Sequence, residues 1–291
     1  MKYTKLVEQL LRENDVLIAC HQGSAGGNIA YNTYRSMQNA IRQGAHIVEF
    51  DVCQSKDGVF HVFHENEEPI RFNRQENFRT FTSAELKEQT LFNMNMQAVE
   101  PPPTLKDFMA QMKNHPNTLL HFDHAQKWGA TLLQDLDQYE EQRETMIIKT
   151  DVAATECLEA LAAHDVKYMT LPKVWSQADF EKIMEYQDQI NIVGFEMIFT
   201  DPTAEYVSKE KLDSLRQAGY HTMINAIVLW NDRQSLCGGY DDDVSLLENA
   251  DLGWGKLHEM GFDVIQTDWP FPLKKYLEGK GVNLVYDHST L

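Results

Sequence analysis

The sequence predicts a single (β/α)8 barrel of the α/β class, and three observations lead there. Apolar, strand-like runs recur along the 291 residues with helical stretches between them, which is the pattern of a parallel sheet. The length suits one such barrel, which takes about 250 residues, plus an insertion. Two of the nine runs stand too close together for a crossover helix, and pairing them as a hairpin leaves eight parallel strands.

Residues 1–15 read as an amphipathic helix with Leu6, Leu10 and Leu11 on one face. Strands are expected at 16–20, 46–52, 59–63, 118–123, 146–149, 167–171, 192–197, 222–228 and 263–266. Only residues 53–58 separate the second run from the third, with Lys56-Asp57-Gly58 as a turn signal. The third is therefore an extension outside the barrel. Helices are expected over 33–43, with Asn32 as its cap, and over 104–113, with Thr104 as its cap. Others follow at 153–163, 177–186 and 209–218, the last closed by Gly219. Two connections exceed the usual length: 66–103, which reads as an insertion, and 231–254, which carries Asp241-Asp242-Asp243. The whole of 1–291 reads as one domain without internal repeats.

The composition excludes several classes. A net charge of −18 disfavours nucleic acid and anionic membranes as partners. No run of about 18 uncharged apolar residues is present, so no membrane span is expected. The apolar stretches near the N-terminus are too broken by charge for a secretory segment, which predicts a cytoplasmic protein. Cys20, Cys53, Cys157 and Cys237 form no CxxC pair and read as inert thiols rather than a zinc knuckle or disulfide framework. A small anionic substrate would need a local positive centre, which a bound metal supplies. The chain does not reveal its oligomeric state.

The residues with chemical potential lie at strand ends. His21 ends the first strand, on the face where such barrels place their active sites. Glu49 and Asp51, two apart on the second strand, share one side of it, and two carboxylates so placed repel unless a cation or proton joins them. The hairpin returns His64 over that strand's end, and Asp123 ends the next barrel strand. Three carboxylates, Glu49, Asp51 and Asp123, make an all-oxygen site suited to Mg2+ or Ca2+, leaving His21 and His64 for proton transfer.

The order and spacing of these residues resemble the glycerophosphodiester phosphodiesterases. The resemblance runs through His21-Gln22-Gly23, Asn32-Thr33, Gly44-Ala45, Glu49-Phe50-Asp51-Val52, Lys56-Asp57-Gly58, His64 and Asp123, and resumes at Thr267-Asp268-Trp269-Pro270. It implies a TIM barrel whose family insertion is 66–103, with His21 and His64 as the acid–base pair and Glu49, Asp51 and Asp123 as metal ligands. It also implies a phosphoric diester hydrolase acting on a small glycerophosphodiester or related polyol phosphodiester.

Several positions depart from the family pattern. Gln22 stands where family members usually carry a phosphate-binding arginine, Tyr31 where a glutamate is usual, and Ala125 where a lysine is usual. The stretch Asn225–Val228 replaces the usual Trp-Thr-Val-Asn. Lys127, Lys149 or Lys173 could restore a lost cation, or each could be a surface lysine. Substrate hydroxyls could be read by Gln22, Asn225 and Glu196, the last facing either the mouth or solvent. Asp241–Asp243 could cap a helix near Val244 or hold a second cation. The nucleophile is either water or a neighbouring substrate hydroxyl, the latter giving a cyclic phosphate. A barrel that binds a phosphodiester without cleaving it is the reading from outside enzymology.

Overall fold

The computed structural model describes residues 2–229 and 235–286. Residues 231–234 of the second long connection lie outside them. Nine strands form: β1 Leu17–Cys20, β2 Ile47–Gln54, β3 Phe60–Val62, β4 Leu119–Asp123, β5 Met146–Asp151, β6 Met169–Val174, β7 Gly194–Met197, β8 His221–Asn225 and β9 Val264–Thr267. Eight pair in parallel in the order β1-β9-β8-β7-β6-β5-β4-β2, and β1 also pairs with β2, which closes the barrel. β3 pairs antiparallel with the end of β2 and lies outside it, as the short connection requires.

Alternation along each strand sorts the side chains. In β2, Val48, Phe50 and Val52 face the helices, where they join the main apolar core. Ile47 faces the barrel interior, and Glu49 and Asp51 lie on that same side. The interior is layered. Its base is apolar, built from Leu17, Ala19, Ile47, Leu119, Ile147 and Met169 among others, and the helix Lys5–Glu13 seals it with Val7 and Leu10. Polar residues take over toward the C-terminal ends of the strands.

The helix after β1 begins one residue later than expected. Thr33 is the cap of Tyr34–Arg42, accepting from the Ser36 N–H in a reciprocal capping box. Asn32 has φ 56°, whereas a cap residue takes an extended backbone. Its amide instead turns inward to the acid pair. Gly23, at φ +74°, lies so close to Ser36 that a Cβ there would overlap it, which explains the glycine in this turn. Thr104 caps Leu105–Met112 as expected.

The insertion has a small core of its own. Phe63, Phe72 and Phe78 stack with ring centroids 4.9 and 4.5 Å from Phe63, joined by Ala30, Cys53, Leu86 and Leu91. Such a cluster anchors the chain on both sides of His64. β8 ends at Asn225, shorter than expected, because the Asn225 side chain accepts the Ile227 N–H and replaces the ladder.

Candidate active site at the barrel mouth

A cavity of ≈ 280 Å³ opens at the C-terminal ends of the strands. His21, Glu49, Asp51, His64 and Asp123 all line it, so the residues expected to converge do so.

His21 follows the last residue of β1, and its Nδ1 lies 2.9 Å from Asp268 Oδ1. Asp268 is itself fixed: its N–H donates to Asp242 (2.9 Å), which also accepts from Thr267 Oγ1 and Trp254 Nε1 (2.7 Å each). Burial works against a charged His21, but Asp268, reinforced by Glu49 and Asp51, overrides it and raises the imidazole to about 10. The acidic run thus divides its tasks. Asp241 caps the turn at Val244 (3.1 Å), and buried Asp242 supports the Asp268–His21 pair.

Glu49 and Asp51 are both buried. Glu49 accepts the Gln22 N–H (2.9 Å). Burial, then Asp51, raises it to about 8. Asp51 accepts from Gln22 Nε2 and Asn32 Nδ2, both at 2.9 Å. Burial would raise Asp51, yet the neighbouring His64 and His124 hold it below the usual range. Gln22 is buried and receives Arg71 on its remaining oxygen (3.4 Å). Its amide is therefore committed to orienting Asp51, and it lies behind the acid rather than in the lining where a substrate hydroxyl would meet it. Glu196 and Asn225 do line the cavity, with Asn225 donating to Glu196 (3.2 Å).

Asp123 differs most from its sequence reading. Lys149 holds one of its oxygens at 2.8 Å and Lys173 the other at 2.7 Å. The two ammonium groups outweigh burial and keep its carboxyl well below the usual range. A dication would have to displace them. The metal donors that gather among the described residues are instead Asp51, His64 and His124, whose ligand atoms all lie within 4.8 Å of one another. The Nδ1 atoms of His64 and His124 are shielded and have no hydrogen-bond partner, so their lone pairs are open to a cation. A divalent cation therefore fits here, on a mixed oxygen–nitrogen set with Glu49 behind it. Glu49, Asp51 and Asp123 do share the cavity, with Asp123 engaged by the two lysines.

His124 escaped the sequence reading because nothing in a strand-end histidine announces φ 58°. That left-handed turn puts its ring 4.4 Å from His64. Of the candidate cations, Lys127 turns away to Glu65 (2.9 Å), whereas Lys149 and Lys173 point inward. A larger hollow, ≈ 540 Å³, lies at the opposite end beside the N-terminal helix. There Asp263 is already occupied by Arg216 and Thr222.

Residues 21–120 match the Glycerophosphoryl diester phosphodiesterase family, and residues 168–277 match a domain of unknown function. A comparison with curated proteins gives no match. Among solved structures, the barrel is similar to a glycerophosphoryl diester phosphodiesterase from Parabacteroides distasonis. That similarity has 17% identity and a TM-score of 0.70, over 99% of this chain and 96% of that one. An Oleispira antarctica phosphodiesterase in complex with the product sn-glycerol-3-phosphate is similar at 18% identity and TM-score 0.67, over 94% and 99%. A glycerophosphodiester phosphodiesterase from Thermotoga maritima follows at 18% and 0.61, over 90% and 98%. The family match covers the segment carrying His21, Glu49, Asp51 and His64, and the barrel fold of solved glycerophosphodiester phosphodiesterases is shared along nearly the whole chain.

Proposed function

We propose that the chain hydrolyses a small glycerophosphodiester or related polyol phosphodiester, with a divalent cation bound and with His21 and His64 moving the protons. One observation carries this reading: an imidazole clamped by a buried carboxylate network shares a single cavity with a second imidazole and an acid pair. His21, raised to about 10 by Asp268 and its neighbours, is protonated at neutral pH and suits the acid that protonates the leaving alkoxide. His64 is then the base that takes the nucleophile's proton. Asp51 and His124, 4.0 Å apart, would hold the cation, which leaves His64 free for proton transfer. When bound, the cation would offset negative charge developing on the phosphoryl oxygens. The sequence-based expectation of Mg2+ or Ca2+ rested on three carboxylates, and the His124 imidazole donor moves the preference toward Mn2+ or Zn2+.

No described helix is long and apolar enough to cross a membrane. The test is turnover of a panel of glycerophosphodiesters, lysophospholipids, cyclic phosphates and inositol or sugar phosphodiesters. It is run after dialysis against chelator and again with Mg2+, Ca2+, Mn2+ or Zn2+. Phosphorus NMR of the products separates water attack from internal attack, which leaves a cyclic phosphate. Full activity in excess chelator would remove the cation from the scheme. Tight binding without turnover under every condition would leave a binding barrel.

A further inference from the structure

We infer that Lys173 is the phosphate-binding cation of this chain, on the barrel wall opposite His21. The inference rests on the phosphodiesterase reading, because it takes the ligand of the mouth to be a phosphate.

The argument starts from charge. The position after His21 and the position two past Asp123 hold no cation: Gln22 is tied to Asp51, and Ala125 is buried. Among the described residues Lys173 is the one lysine or arginine in the cavity lining. Its Nζ has three donor hydrogens, and its partner is Asp123 Oδ1 at 2.7 Å. Two donors therefore remain for a ligand, and the side chain keeps 14% of its surface open. Lys149 differs. Its ammonium reaches both Asp123 (2.8 Å) and Glu196 (3.1 Å), and it is almost wholly enclosed. Asp123 thus links a supporting lysine below to a ligand-facing lysine above, one on each oxygen.

Topology sets the direction. Round the closed barrel, β6 stands four strands from β1 in either sense. A phosphoryl group between them would meet the His21 imidazole on one side and the Lys173 ammonium on the other. The other acids facing Lys173 are Asp151, its register partner on β5, and Glu196, its partner on β7. Asp151 is engaged by Gln126 (2.9 Å) and Glu196 by Asn225 (3.2 Å). Arg71, a further cation near the site, is held by Glu67 (2.7 Å) and lies over the Tyr31 ring at 4.5 Å.

The experiment is calorimetric binding of inorganic phosphate and of sn-glycerol 3-phosphate, with Mn2+ present and after chelation. Wild type is compared with Lys173→Gln, Lys173→Arg and Arg71→Gln, each checked for an unchanged melting temperature. Lys173→Gln keeps an amide donor for Asp123, so the carboxylate stays paired and folding is preserved. Loss of one charge-assisted hydrogen bond predicts about ten- to hundredfold weaker binding in Lys173→Gln. Lys173→Arg should retain most of it and Arg71→Gln nearly all. Unchanged phosphate affinity in folded Lys173→Gln, or a loss confined to Arg71→Gln, overturns the assignment. Binding that depends on Lys173 in a protein that cleaves no diester supports the assignment while removing the hydrolase reading. Normal turnover with binding indifferent to Lys173 does the reverse.

Discussion

The two ends of the barrel use the same side chain in opposite ways. At the base, His46 is buried at the start of β2. Its Nδ1 accepts the Ile18 N–H (3.0 Å), and its Nε2 meets the Val285 carbonyl (3.1 Å). His221 is buried at the start of β8. Burial pushes each imidazole down to about 4, so both are neutral linkers between strand and surroundings. At the mouth, His21 is half-buried, and Asp268, Glu49 and Asp51 overcome its desolvation and carry it up to about 10. Burial alone does not decide whether a histidine is charged; the company of carboxylates does. At the base His46 links the Ile18 N–H to the Val285 carbonyl. The mouth instead gathers like charges, with Glu49, Asp51 and Asp123 lining one cavity.

The largest expected effect tests the mouth. His21→Ala should lower kcat by about 10²- to 10⁴-fold with KM changed far less, the usual contribution of a positioned acid or base. Asp268→Asn keeps the ring's size and place but removes the charge that raises it. The alkaline limb of the kcat profile should then move from near pH 10 toward neutrality. If the limb stays fixed in Asp268→Asn, the His21–Asp268 pair is structural only and the contrast with the base collapses.

Much of this contrast was legible in the sequence. The spacing of Glu49 and Asp51 puts both on one face of any strand, and the six-residue link before Val59 forces a hairpin that returns His64. Those inferences need only local geometry. The destination of Asp123 did not follow, because its two partners arrive from β5 and β6, and pairing of lysines with a given carboxylate depends on closure of the whole barrel. Asn32 was misread as a cap because asparagine suits both a cap and the left-handed turn it adopts. His124 and Arg71 were invisible for a related reason. One depends on a positive φ and the other on the path of the insertion, and neither leaves a periodic signal.

A smaller effect tests the base through pH. A histidine whose folded pKa is depressed contributes stability above its unfolded value near 6.5, and that contribution is lost as pH falls toward the folded value of about 4. His46 and His221 should each cost on the order of 3 kcal/mol across that window. The mouth has the opposite slope: His21, raised to about 10, contributes most below 6.5 and loses it as pH climbs to 10. Urea midpoints from pH 4 to 10 on chelated protein should show both limbs. His46→Gln, which can still accept from Ile18, should flatten the acid limb, and His21→Ala the alkaline one. An acid limb unaltered in His46→Gln would place the acid sensitivity elsewhere.

The smallest effect is a gain. Glu49 is raised to about 8 by burial and by Asp51, so its ionised form is costly in the fold. A raised carboxyl contributes stability below its unfolded pKa and loses it as pH rises through the folded value, which puts the cost of Glu49 between roughly pH 4.5 and 8. Glu49→Gln keeps an oxygen for the Gln22 N–H (2.9 Å in the native chain) while removing one of two adjacent charges. At pH 8 and without metal it should raise stability by about 1 kcal/mol, within the range common for relieving strained sites. Turnover and cation affinity should both fall. The gain should vanish below about pH 4.5, where the native carboxyl is protonated in either state. A Glu49→Gln protein less stable than wild type at pH 8 would show that the acid pair is held comfortably, and that the mouth is no less settled than the base.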